Sequence, residues 1–118
     1  MESQDTITIA PSVLITIARH AAMQVEGVSR TGVIPVDVIR LLRGNPMGSG
    51  VALKLGDNKV TVDIYLVVKP GASMRETSEE VQQAVTRAIQ ELVGMEVIAV
   101  NAHVEDVDFP LAEAPRKS

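Results

Sequence analysis

Four residues near the end of the chain, His103, Glu105, Asp106 and Asp108, form the densest group of potential metal ligands in the 118-residue sequence. An imidazole grouped with carboxylates is a donor set suited to a divalent transition metal. On an extended strand His103 and Glu105 project from the same face, while Asp106 and Asp108 fall at the strand's end. Two donors on one face do not close a coordination sphere, and acidic residues at a strand end are ordinarily solvated. A divalent-metal or small-ligand site on these four residues is therefore the second reading of the chain, behind the one developed below.

Other chemistry is weaker. Arg40, Arg43 and the glycines of RGNPMGSG suggest an anion-binding loop, because backbone amides of glycine-rich turns cradle phosphates. A Walker loop, however, needs Gly-Lys followed by Ser or Thr ahead of a helix, whereas Gly48-Ser49-Gly50 has no lysine and precedes a strand. The same tripeptide is not the Gly-x-Ser-x-Gly turn of hydrolases, and His20 lies far from His103 in sequence. No acid–base pair is marked by spacing and no cofactor motif is present, so spacing alone leaves an enzyme as an open alternative.

Composition narrows the partners. Cysteine is absent, which removes disulfides, thiolate metal sites and Cys nucleophiles together. With 11 Lys and Arg against 15 Asp and Glu, the net charge is −4. A nucleic-acid surface through Arg40, Arg43 and Lys54 would need clustered cations to release counterions, so it ranks last. One Tyr, one Phe and no Trp leave the core to aliphatic side chains. The N-terminus MESQDTITIAP lacks the positive region of a signal peptide, and no apolar run approaches the ~20 residues of a membrane span. The expectation is a cytoplasmic protein without direct membrane insertion.

The elements that would position these residues are mostly legible. TITIA, residues 6 to 10, alternates and predicts a short strand. Pro11 opens a helix with an apolar stripe of Leu14, Ile17, Ala18, Ala21 and Val25 and with Gly27 to stop it, leaving Arg19, His20 and Gln24 off the stripe. Residues 28–50 are read as an edge strand in VSRTGVIP, one or two turns of helix in VDVIRLLRG, and a loop in GNPMGSG. VALKL, GDNK and VTVDIYLVVK make a β-hairpin. A second helix starts at Ser73 with Glu76 as a capping box, or at Thr77 with Glu80, and carries Val81, Ala84, Val85, Ala88, Ile89 and Leu92 on one stripe up to Gly94.

In the last strand, alternation puts Ile98, Val100, Ala102 and Val104 on one side and Val97, Ala99, Asn101, His103 and Glu105 on the other. Residues 1–107 are thus read as one α+β domain, and 108–118 as a flexible tail broken by Pro110 and Pro115. The expected fold is a two-layer sandwich: a small, mostly antiparallel or mixed sheet with two main helices on one face, in the order β-α-(β)-β-β-α-β. In the hairpin's second strand Val60, Val62, Ile64, Leu66 and Val68 face those helices. The opposite face is expected to be mostly wet, yet it holds Tyr65, Val67, Val97, Ala99 and Asn101. These five are the expected partner-binding surface, together with the adjacent 28–50 segment. Asn101, disfavoured in a strand, is expected to bridge to a neighbouring loop.

Three segments carry a resemblance to a known family: ITIAPSVLITIARHAAMQVEGV, VTVDIYLVV followed by Pro70-Gly71, and VQQAVTRAIQELVGMEVIAVNAHV. The chain resembles the alkaline shock protein twenty-three / Gls twenty-four family of bacterial envelope stress response proteins. The last segment is the strongest, through Gly94, Met95, Val97, Val100, Asn101 and Val104, with Ala102 in place of a usual Val. Glu26 departs from the family's Val-Pro-Gly-Val turn, and residues 34–50 match nothing in it. The resemblance implies a non-enzymatic protein of cell-envelope homeostasis or alkaline stress, held near the membrane by a membrane-anchored protein partner. It brings no catalytic residues. The expected partner is such an anchored relative or further copies of the chain itself.

Overall fold

Residues 7–109 are described by the computed structural model. Proline at a first helical position loses no hydrogen bond and already has a helical φ, and helix α1, Pro11–Met23, begins there. It buries Leu14, Ala18, Ala21 and Ala22 and leaves Arg19, His20 and Gln24 exposed. The helix ends before Gly27, with Gln24 as a right-handed C-cap. Gly27 serves another purpose, since a Cβ there would run into the Thr77 hydroxyl.

The sheet is organised around the hairpin's long strand. Successive residues from Val51 and Lys59 alternate in side-chain direction, giving β3, Val51–Gly56, and β4, Lys59–Val68, joined through Asp57-Asn58. Asn58 takes a φ of 54°, a left-handed conformation that asparagine tolerates. Both edges of β4 are occupied. One pairs antiparallel with β3 along residues 59–64 and then with β1, Val28–Thr31, along residues 66–68. The other pairs in parallel with β5, Glu96–Val107. A two-residue β2, Met47–Gly48, adds to β3 inside the segment expected to be only a loop.

The expected opening strand is absent. Residues 7–10 belong to no strand and are exposed, while Thr6 lies outside the described residues. Alternation makes a strand only where backbone pairs with a neighbour, and residues 7–10 pair with none of the described strands. The bracketed middle strand of the expected order is present as β1.

Helix α3, Met74–Leu92, settles its own start: the Ser73 hydroxyl accepts from the Glu76 N–H at 3.2 Å. Thr77 is instead a buried residue of the first turn. The helix ends on Gly94, whose φ of +83° lets its N–H reach the Ile89 and Gln90 carbonyls. Val81, Val85 and Ile89 join the α1 stripe over Val60, Val62, Ile64 and Leu66 of β4 and Val51 and Leu53 of β3. This is the expected two-layer α+β sandwich, with a mixed sheet and the two long helices on one face. The opposite face carries most of the candidate residues.

Candidate functional site

Tyr65 and Val67 lie on the sheet face away from the long helices, as alternation requires, but they are not wet. Tyr65 is only 6 % exposed and Val67 is likewise buried. The cover over Tyr65 comes from the chain itself. After β1 the backbone turns at Gly32, crosses the face through the short helix α2, Val36–Leu41, and returns through β2. Ile34, Ala52 and Tyr65 form a second small core, against which Val38, Leu42 and Met47 pack. Two hydrogen bonds fasten the crossing: the Gly32 N–H to the Tyr65 carbonyl at 2.7 Å, and the Val33 N–H to Glu105 Oε1 at 2.9 Å. The approach is close enough that a Cβ on Gly32 would collide with the Glu105 carboxylate. Residues 32–47 thus form a flap, and the expectation of an open face is corrected at Tyr65 and Val67.

Val97 needs a second correction. Pairing runs Val60 to Val97 and then Thr61 to Ala99, so Ile98 is an extra residue in β5. A bulge of this kind reverses the alternation on either side of it. Val97 consequently turns toward the long helices and packs on the main core, while Ile98, expected in that core, is 61 % exposed. Beyond the bulge Ala99 and Asn101 pair with Thr61 and Asp63 and occupy the outer face. Asn101 is exposed, so its amide meets solvent instead of bridging to a loop. Of the five expected surface residues, Ala99 and Asn101 remain accessible there, with Ile98 as a neighbour that strict alternation hides.

Between the flap and the bulge lies a polar cluster. The His103 ring stacks on Tyr65, with centroids 4.5 Å apart and planes 13° apart. Its Nε2 is 3.0 Å from Asp63 Oδ1, the carboxylate serving as acceptor. Burial raises the Tyr65 hydroxyl above its ordinary pKa, and the Asp63 and Glu105 carboxylates push it the same way. Chemically this is a lock between β4 and β5: Asp63 fixes the imidazole's direction and Tyr65 its plane.

The four residues of the metal reading do not converge. His103 is committed to Asp63, and Glu105 to the flap. Asp106 Oδ1 accepts from the N–H of Val107, and the Asp108 carboxylate accepts from the Ser29 hydroxyl. Among the described residues no group of three His, Asp or Glu side chains is placed to hold a metal ion. The second bulge, between Val104 and Asp106, helps to scatter them. On the other layer, an open trough of about 530 Å³ runs between α1 and α3 over Ile17, Ala21, Ala84, Ala88 and Leu92, with His20, Arg87 and Glu91 at its rim. Helical periodicity marks those residues only as core.

A protein-family model matches residues 1–109, that of the alkaline shock protein twenty-three family, described by a cell envelope-related function. Relatives include the uncharacterized proteins YqhY and YloU of Bacillus subtilis (strain 168). YqhY is 29 % identical over 114 residues, covering 92 % of this chain and 84 % of its own. YloU is 25 % identical over 104 residues, covering 86 % and 87 %. Among solved structures the chain is similar to the MamM CTD in several variant forms. One gives a TM-score of 0.54 at 13 % identity, covering 84 % of this chain and all of that one. Another, described as a zinc form, gives 0.53 at 12 % identity, covering 84 % and 88 %. At that identity the likeness is one of fold.

Proposed function

The chain belongs to the alkaline shock protein twenty-three family, and on that premise we propose that it works in cell-envelope homeostasis as a non-enzymatic protein–protein interaction module. In this reading a membrane-anchored partner on the cytoplasmic side holds it at the membrane. No helix among the described residues is long and apolar enough to cross a bilayer. The observation that carries the reading is the bulged strand β5. An exposed isoleucine, Ile98, stands there beside Ala99 and Asn101 on a strand that, among the described residues, pairs with β4 alone. Aliphatic surface beside an unpaired strand edge suits a partner that adds both apolar contact and main-chain hydrogen bonds. Against the metal-binding alternative stands the separation of His103, Glu105, Asp106 and Asp108 among the described residues.

A crosslinking pull-down from the native cell, with the membrane fraction analysed separately, tests this. The expected catch is a protein with a membrane span, lost with Ile98→Asp and weakened with Asn101→Arg, while size-exclusion chromatography shows the variants still folded. Capture unchanged in both variants would remove this surface from the reading. Self-association that alone responds to them would assign the surface to further copies of the chain.

A further inference from the structure

From the outward side of the flap we infer a second contact, made by this chain directly with an anionic lipid surface. The flap is apolar on more sides than its packing uses. Ile34, Val38 and Leu42, four residues apart, face the sheet and are satisfied there. Val33, at 75 % exposure, and Leu41, at 82 %, point to solvent together with Val36 and Ile39. The same stretch is basic on an otherwise acidic chain: residues 28–50 hold Arg30, Arg40 and Arg43 against one aspartate, whereas the whole chain carries −4. Arg30 pairs in register with Val67 and so lies on the flap's side of the sheet. The same side also carries acids: Asp63 is held by His103, and the exposed Asp106, in register with Val67, accepts from the N–H of Val107. Asp37 is 3.7 Å from Arg40, both well exposed, and Glu105 is held by the Val33 N–H.

A set of exposed aliphatics interspersed with arginines matches the boundary between lipid headgroups and acyl chains, where apolar side chains dip in and cations stay among phosphates. A protein groove is a poorer match. Unlike Ile98, the exposed Val36, Ile39 and Leu41 sit on a helix, with no strand edge to add main-chain hydrogen bonds, and arginines stand among them. Nor are those residues an unsatisfied helical stripe, because the stripe of α2 is already spent on Tyr65. The contact is independent of the partner surface around Ile98, since it uses different residues.

The test is flotation of the purified full chain with vesicles of phosphatidylglycerol and phosphatidylcholine, and with phosphatidylcholine alone. Binding is expected only to the anionic vesicles and should fall as salt is raised. Arg40→Gln and Arg43→Gln should each weaken it about fivefold. Leu41→Asp combined with Val36→Asp should abolish it, and Ile98→Asp should leave it unchanged. These side chains are exposed, so folding should survive, and an unchanged circular dichroism melt verifies that. Absence of binding to anionic vesicles, or binding indifferent to Leu41→Asp with Val36→Asp, overturns the proposal. So does loss of partner capture by the flap variants with no vesicle binding in the parent chain, which would make the flap a protein surface. Failure of the Ile98 test alone touches only the partner reading.

Discussion

The two faces of β4 are covered in opposite ways. Toward α1 and α3, Val60, Val62, Ile64, Leu66 and Val68 are wholly buried under two long helices, each with a continuous apolar stripe. On the other side, only the far half of the strand is covered, by a flap whose three-residue core is Ile34, Ala52 and Tyr65. The first face binds the domain into one cooperative unit. The second holds a segment secured by few buried apolar contacts, which is therefore expected to open without unfolding the rest. The main core is on one face, and the surfaces proposed for the partner and for lipid are on the other.

The largest effect expected from this difference is on the helix face. Leu66→Ala leaves a cavity among fully buried neighbours and should cost about 2–5 kcal/mol, read as a lower denaturant midpoint for the whole domain. If only the exchange of flap amides changed and the global midpoint did not, the division between the faces would be wrong.

The helix face was legible in the sequence and the flap face was not, for identifiable physical reasons. The stripes Leu14, Ala18, Ala21 and Val81, Val85, Ile89 repeat with the helical period, and Ser73 with Glu76 is a local signal that needs no tertiary partner. TITIA shows the reverse case, a local pattern with no neighbour to complete it. The burial of Tyr65 depends on residues some thirty positions earlier crossing the sheet, a non-local event that alternation cannot report. Val97 and Ile98 exchange faces because one inserted residue shifts the period-two count, and nothing in VIAVNAHV marks the insertion. The family resemblance rested on helix-face residues together with the turn at Gly94 and the outward Asn101, and the family model matches residues 1–109. The resemblance said nothing about the 34–50 segment that makes the flap.

A smaller effect should follow from Leu42→Ala. Leu42 is half-buried on the flap's inner side, so its truncation removes about 1 kcal/mol of apolar burial. The expected signature is local: faster hydrogen exchange and proteolysis across residues 33–47, with the denaturant midpoint nearly unchanged. A loss of global stability as large as that of Leu66→Ala would mean the flap is part of the cooperative core and not a separate cover.

Tyr65 sharpens the comparison at its finest grain, because it is the single tyrosine of a chain without tryptophan, and phenolate absorbance in an alkaline titration therefore reports it alone. Burial under the flap, then the Asp63 and Glu105 carboxylates, raise its pKa above 10.0. A phenol whose folded pKa exceeds its unfolded value favours the folded state fully below the unfolded value. That contribution is lost as pH rises from there through the folded one. Stability should accordingly begin to fall near pH 10 and continue downward until Tyr65 ionises in the folded chain. In Leu42→Ala, where the flap opens more often, the phenolate transition should move back toward its ordinary position, and the fall in stability across that window should shrink with it. The helix face offers no such titration, so an unshifted Tyr65 in the parent chain would show that the flap does not seal the outer face as it does here.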